Sequence, residues 1–352
     1  MKSFKVETRP QALREAMMPR VHRRLSASGK LSLPAAPALL ETYVEQIATQ
    51  FSLLGRRFST EQLDHLRRIL RERLEAAWKR SPHCRLLIDW STDASPAVSV
   101  SYTVATRFST TEDEYEEWTR TRTPPLFGAN PDAKVMAVAG QLSLGMPALT
   151  PCLDIGAGTG RNSLPLARLG HPVDAVEVAP ALLGLLRDDL RAERLPVTVM
   201  EGDVLGDLAL PARKYRLAFL CEVLSSFREP AQLRPLFERA VAALQPGGQL
   251  LFSAFIAHDS YVPDRLAREL SEVFWCTIYT RKDIAAAMAG LPLKLVSDES
   301  VHDYEKANLP PGAWPQTEWY PQWTQGLDVF AIEPTRSPAQ LRWLLYQRDG
   351  EG

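Results

Sequence analysis

From residue 150 onward, short and almost wholly apolar runs alternate with stretches in which apolar residues recur every three or four positions. "CLDI" (152–155), "VDAVEV" (173–178), "VTVM" (197–200), "YRLAFLC" (215–221) and "QLLFSAF" (249–255) have the length and composition of strands buried on both faces. Between them, 160–169, 179–195 and 231–244 carry helical spacing. This alternation predicts an α/β fold, an open, doubly wound and mostly parallel sheet. "LKLVSDESV" (293–301) and "LRWLLYQ" (341–347) supply two closing strands, seven in all.

The pattern before residue 150 differs. Leu40, Tyr43, Val44, Ile47 and Phe51 recur at helical spacing. Ser59 with Gln62 forms a capping box ahead of Leu63, Leu66, Leu70, Leu74 and Trp78, the apolar face of a second helix. Its other face, with Arg67, Arg68, Arg71 and Lys79, reads as a solvated surface. "RLLIDW" (85–90) and "AVSVSYTV" (97–104), in which Val98, Val100, Tyr102 and Val104 alternate with Ser99, Ser101 and Thr103, predict a hairpin turning at 93–96. An acidic run (112–117) leads to Trp118 and the turn-rich "TRTPPLFGANPDA", where Asn130 and Pro131 suit the start of a helix reaching Ala139. The expected organisation is a flexible basic arm (1–35), bearing Lys2, Lys5, Arg9, Arg14, Arg20, Arg23 and Arg24, then a helical and hairpin region (36–149). A sheet domain (150–352) with a Trp- and Pro-rich insertion (302–325) follows.

Composition narrows the function. A formal net charge of -1 offers no global attraction to nucleic acid. Cys84, Cys152, Cys221 and Cys276 lie far apart without a CxxC pair, which fits neither a zinc site nor a disulfide framework and points to a reducing, cytoplasmic setting. No metal motif appears. No run approaches the roughly 18 apolar residues of a membrane span, and the N-terminus lacks the apolar core of a secretory signal. The expected partner is a small-molecule substrate, with no nucleic acid and no membrane.

The chemistry concentrates in "LDIGAGTGRNS" (153–163), where Gly156, Gly158 and Gly160 fill the turn between the first strand of the sheet and the following helix. Such a turn, at the carboxyl end of a strand, is where open α/β sheets hold ligands. The spacing departs from the dinucleotide GxGxxG. Asp154 would repel a pyrophosphate but suits an ammonium or sulfonium, and S-adenosylmethionine carries both. Glu177, ending the second strand, is placed for two ribose hydroxyls, and Asp203 in "EGDV" for an adenine amino group. Cys221 and Glu222 end the fourth strand, where Cys221 reads as a small apolar residue because no basic neighbour would lower its pKa.

With "LDIGAGTG", Glu177, "EGDV", "YRLAFLCEVL" and "LQPGGQLLF" in this order, the chain resembles the class I S-adenosylmethionine-dependent methyltransferases. "GTGRNSLPLARLGHPVDAVE" is similar to the first motif of the TehB-type tellurite-resistance methyltransferases, although Ala157 stands where that group often has Cys and this chain is longer. The resemblance implies a Rossmann-like sheet and S-adenosyl-L-methionine as cofactor. It implies a cofactor site of Asp154, Gly156, Ala157, Gly158, Gly160, Asn162, Glu177, Val178, Asp203, Val204, Cys221 and Glu222. Phe127 and Asn130, ahead of the first sheet strand, are expected to approach it.

Methyl transfer is an in-line displacement in which alignment alone supplies about 7–11 kcal/mol. An oxygen or nitrogen nucleophile also benefits from a base. The candidates are His258, Asp259 and Tyr261 in "IAHDSYVPDR", with His302, Asp303 and Tyr304 after a later strand. Trp314, Trp319, Tyr320 and Trp323, among prolines, read either as a pocket wall or as a strap on the core. The expected activity is methyl transfer to an oxygen or nitrogen of a small organic molecule. The alternatives are a peptide or protein acceptor, and a non-catalytic cofactor-binding module whose N-terminal region docks a partner.

Overall fold

Residues 6–22, 27–92 and 100–350 are described in the computed structural model. The expected hairpin turn at 93–96, with Val98 and Ser99, and the basic residues Lys2, Lys5, Arg23 and Arg24 lie outside the described residues. Two separate cores divide the chain into Met1–Thr110 and Thr111–Gly352.

The first unit contains α1 (Pro10–His22), β1 (Ala27–Pro34), α2 (Leu40–Leu53), α3 (Thr60–Arg80), β2 (Arg85–Thr92) and β3 (Val100–Arg107). The Ser59–Gln62 capping box forms as expected at the start of α3. The apolar faces of α2 and α3 bury Ile47, Phe51, Leu66 and Leu70 against Leu86, Ile88 and Trp90, which alternate inward along β2. β1 and β3 flank β2 in an antiparallel sheet of three strands. The segment expected as a flexible arm thus contributes a helix and a sheet strand. Leu31 and Leu33 alternate with Lys30 and Ser32 over too few residues to stand out, and pairing with β2 is what makes them a strand.

The second unit runs through α4 (Thr111–Thr121), α5 (Ala133–Ser143), β4 (Cys152–Ile155), α6 (Ser163–Arg168), β5 (Val173–Glu177) and α7 (Pro180–Glu193). It continues with β6 (Val197–Glu201), β7 (Tyr215–Leu220), α8 (Leu233–Ala243), β8 (Leu244–Ala257), α9 (Arg265–Val273), β9 (Ile278–Tyr279) and α10 (Arg281–Met288). β10 (Leu293–Ser300), α11 (Val301–Asn308), α12 (Tyr320–Thr324) and β11 (Ala339–Arg348) complete it. The unit begins at 111 rather than 150, since Val135 and Val138 of α5 pack with Leu166 and Phe219, and Tyr115 of α4 packs with Ala179 and Leu182.

The sheet order is β10-β11-β8-β7-β4-β5-β6, with β4 to β8 parallel and β10 and β11 antiparallel. An eighth strand, β9, pairs beside β8; two residues are too few for any periodicity to announce. The chain leaves β4 toward β5 on one side and returns to β7 on the other, so the turn after β4 lies where the strand order reverses.

That turn is longer than expected, because α6 begins at Ser163 rather than 160. Gly160 sits at φ +89°, and a Cβ there would lie 2.6 Å from Leu186 Cδ1. Its absence of a side chain therefore serves the packing of α7 against the turn. Gly160→Ala is expected to destabilise the protein by about 1–3 kcal/mol through strain and overpacking, read as a lower urea midpoint. An unchanged midpoint would contradict this packing role.

Candidate active site

The backbone N–H groups of the β4–α6 turn are largely spent inside the protein. Gly156 and Ala157 donate to the Val176 carbonyl at 2.8 and 2.9 Å, and Gly160 to the Ala157 carbonyl at 2.9 Å. Gly158 donates to Glu177 Oε2 at 2.8 Å. Glu177 Oε1 accepts from Val178 and Ala179, each at 2.8 Å, at the start of α7. A pyrophosphate bound at such a turn needs these donors open. Here a carboxylate already holds one of them.

A cavity of about 710 Å³ opens over the turn, within the second unit. Its charged lining is Asp154, Glu177, Asp203, Glu222, Glu318 and Asp328 against Arg122 and Arg161, six carboxylates to two guanidiniums. Asp154 is 2% exposed and accepts from the Ser163 hydroxyl at 2.7 Å. Burial pushes its carboxyl up to about 7, with that hydrogen bond opposing. Asp203 accepts from the Leu205 N–H at 2.8 Å through Oδ1.

Arg161 is already neutralised. Its Nη2 donates to Asp132 Oδ2 at 3.0 Å and to Glu222 Oε1 at 2.7 Å, and its Nη1 to Gln316 and, at 3.3 Å, the Phe127 carbonyl. Asp132 is fully buried and also accepts from Asn162 Nδ2 at 2.9 Å and Gln316 Nε2 at 3.0 Å, while its N–H donates to Asn162 Oδ1 at 2.8 Å. Burial pushes the Glu222 carboxyl up, opposed by Arg161. Glu305 of α11 accepts from the N–H groups of Ala133 and Lys134 at 2.7 and 3.2 Å, capping α5 from outside. For this reason α5 starts after Asp132 and not at Asn130.

Part of the remaining lining is aromatic. Trp118 and Trp275 lie 5.1 Å apart between ring centroids, Tyr115 and Trp275 5.5 Å, and Tyr115 and Phe127 6.4 Å. Arg122 lies 4.0 Å over the Trp118 ring.

Residues 152–248 match a family model described as a methyltransferase domain. Over this stretch, from β4 to the start of β8, the chain is similar to a methyltransferase domain. A curated relative, demethylmenaquinone methyltransferase of Tropheryma whipplei (strain Twist), is 29% identical over 112 residues, 32% of this chain. The aligned part is 44% of that relative, so the chain spans less than half the length of the curated relatives it matches. Among solved structures, a geranyl diphosphate methyltransferase in complex with GPP and sinefungin has a TM-score of 0.49 at 15% identity, covering 67% of this chain and 98% of that one. Geranyl diphosphate C-methyltransferase from Streptomyces coelicolor A3(2), in complex with S-adenosyl-L-homocysteine among other ligands, has a TM-score of 0.48 at 16% identity, covering 67% and 97%.

Every residue expected at the cofactor site lines the cavity except Gly160, which faces the core. Phe127 lines it and Asn130 does not. The expected bases His258, Asp259 and Tyr261 are not among the lining residues. β8 continues from Phe252, the partner of Leu220 at the end of β7, to Ala257, an overhang of roughly 16 Å at strand rise. Beyond it the His258 N–H donates to the Pro338 carbonyl, Asp259 pairs with Arg281 at 3.3 Å, and Tyr261 packs on Phe330. His302, Asp303 and Tyr304 also lie off the cavity, in α11; His302 packs on Trp314. The late aromatic segment does both things expected of it: Trp319 and Trp323 line the cavity, while Trp314 and Tyr320 pack with the core. Arg161, Asp132, Tyr115, Trp118 and Trp275 were not singled out by sequence. Only the position of Arg161 beside Gly160 hinted at a role. Among the described residues no cluster suited to a metal and no helix long and apolar enough to cross a membrane is found.

Two outcomes follow from this burial. Asp154 binds its proton more tightly folded than unfolded, so its contribution to stability is present below the unfolded value and lost as pH rises through about 7. Asp154→Asn lacks this loss, and its stability relative to wild type is expected to rise between pH 5 and pH 8 by roughly 2–4 kcal/mol in urea unfolding; a constant difference would refute the assignment. Arg161→Gln leaves Asp132 and Glu222 uncompensated and is expected to cost about 3–5 kcal/mol. A loss below about 1 kcal/mol, the range of an exposed pair, would show that the guanidinium is not the clamp described.

Proposed function

We propose that the protein is an S-adenosylmethionine-dependent methyltransferase that moves a methyl group to an oxygen or nitrogen of a small organic molecule. The observation that carries this reading is the site's charge and donor balance. The turn amides at Gly156, Ala157, Gly158 and Gly160 are occupied, and carboxylates outnumber cations around the cavity. Such a lining disfavours a pyrophosphate and suits a ligand carrying ammonium and sulfonium charges. That cofactor, when bound, supplies a methyl group already activated by a sulfonium.

The chain's own residues then have separate tasks. Glu177 Oε2 keeps a lone pair for ribose hydroxyls while Gly158 holds its orientation. Asp203 has Oδ2 for the adenine amino group, because Oδ1 is held by Leu205. Asp154, ionised, faces the cationic part. Ala157, Val178, Val204 and Cys221 give the apolar walls, and Gly156, Asn162 and Glu222 complete the lining. Burial and neighbouring carboxylates push the Cys221 thiol well up, which keeps it out of nucleophilic chemistry. The cavity volume falls in the range of small-molecule sites, roughly 300–1,000 Å³, and supports a small acceptor over a protein chain.

Calorimetric titration with S-adenosyl-L-homocysteine is expected to show binding that Glu177→Ala weakens by about ten-fold or more, as loss of a charge-assisted contact should. Labelled methyl from S-adenosylmethionine is then expected in the small-molecule fraction of a cell extract. Equal affinity in wild type and Glu177→Ala would refute the site, and label confined to protein would refute the acceptor class.

A further inference from the structure

Tyr115 and Trp118 of α4 and Arg122 at its C-terminal end stand at i, i+3 and i+7, so the three share one face. The Arg122 N–H donates to the Trp118 carbonyl at 3.0 Å, which carries the helical bonding through this residue and sets its side chain one turn beyond Trp118. All three line the cavity. The guanidinium lies 4.0 Å over the Trp118 ring, and that ring is itself packed by Tyr115 at 5.3 Å and Trp275 at 5.1 Å between centroids. Its charge is therefore positioned by the wall beneath it. Arg122 is also exposed, which puts it at the mouth of the cavity, whereas Asp154 is buried at the β4–α6 turn.

Of the guanidiniums near this wall, only this one has no carboxylate partner among the described residues. Arg120 pairs with Glu117 of the same helix, and Arg161 is held by Asp132 and Glu222. Arg122 has its ring contact and no ion pair, although acids crowd α4. Glu114 attracts it from a distance, too weakly to offset its partial burial. Stacking occupies the flat face of a guanidinium and leaves its N–H edge open, and that edge matches a carboxylate through two parallel hydrogen bonds. A phosphate dianion would bring two negative charges to a cavity already lined by six carboxylates; a carboxylate brings one. Beside the charge, Tyr115 and Trp275, 5.5 Å apart, offer an apolar surface.

We propose that the methyl acceptor is a carboxylic acid with an apolar body, its carboxylate docked on Arg122 at the cavity mouth and its body lying along Tyr115 and Trp275. This rests on the methyltransferase reading and names the acceptor's class. The carboxylate is the anchor, and the oxygen or nitrogen that takes the methyl group is another atom of the same molecule. A carboxylate whose lone pairs are engaged by a guanidinium is a poor nucleophile. Arg122 thus determines specificity by touching the acceptor and takes no part in bond making.

The test is a binding experiment that involves no turnover. 3-Phenylpropanoate and its neutral isostere 3-phenylpropanamide are titrated against the full-length protein saturated with S-adenosyl-L-homocysteine, with tryptophan fluorescence as readout. The carboxylate is expected to bind at least about five-fold more tightly than the amide, as a charge-assisted bidentate contact should allow. Arg122→Gln should reduce that preference to about two-fold or less, and Arg122→Lys, which keeps the charge and loses the fork, should fall between. The affinity of Arg122→Gln for S-adenosyl-L-homocysteine is expected to be unchanged by calorimetry. Equal binding of the two probes by a wild-type protein that binds S-adenosyl-L-homocysteine overturns this proposal alone, as does an undiminished preference in Arg122→Gln. Loss of S-adenosyl-L-homocysteine binding in Arg122→Gln, with an unchanged urea midpoint, overturns it as well, because the guanidinium then serves the cofactor's own carboxylate. Failure of wild type to bind S-adenosyl-L-homocysteine overturns the methyltransferase reading beneath it.

Discussion

One buried guanidinium holds the site together. Arg161 is 8% exposed at its side chain, and a charge so placed must be met by partners wherever they come from. They come from three parts of the chain: the Phe127 carbonyl and Asp132 ahead of the sheet, Glu222 at the end of β7, and Gln316 from the segment after α11. The turn after β4 is thereby tied to the strand beside it and to two loops that no β-ladder orders. Asp132 spreads the constraint through Asn162 and Gln316, and Glu305 extends it by capping α5.

The same clamp sets the electrostatics of the cavity. With Arg161 committed to two acids, the remaining carboxylates in the lining face an interior with one other cation, Arg122. Burial raises the cost of ionising Asp154 and Glu222, so each gains most from a ligand that brings positive charge. The protein thus stores an unfavourable charge distribution that its ligands relieve. Fold and electrostatics are linked here through the low dielectric of the site.

The parallel strands were legible because burial on both faces leaves an unbroken apolar signature, and the glycine turn because φ values between +57° and +89° narrow the choice of residue. Ser59 and Gln62 were legible as a local hydrogen-bonded pair. What escaped was set by distant partners. β1 becomes a strand by pairing with β2, α5 is capped by Glu305, and Arg161 meets Gln316 far along the chain. His258, Asp259 and Tyr261 follow a strand, as a base would, but the length of β8 carries them off the cavity, and only the register with β7 reveals it. The aromatic wall combines α4, the turn after α9 and the segment before α12, three places with no common period.

This cavity, with its occupied turn amides and surplus of carboxylates, is expected to hold an adenosyl sulfonium compound. A crystal structure of the protein grown with S-adenosyl-L-methionine addresses it most directly. Electron density is expected over the β4–α6 turn, with ribose oxygens within hydrogen-bond distance of Glu177 and the cationic end facing Asp154. Density lodged elsewhere, or a ligand whose charged groups turn away from both carboxylates, would contradict it.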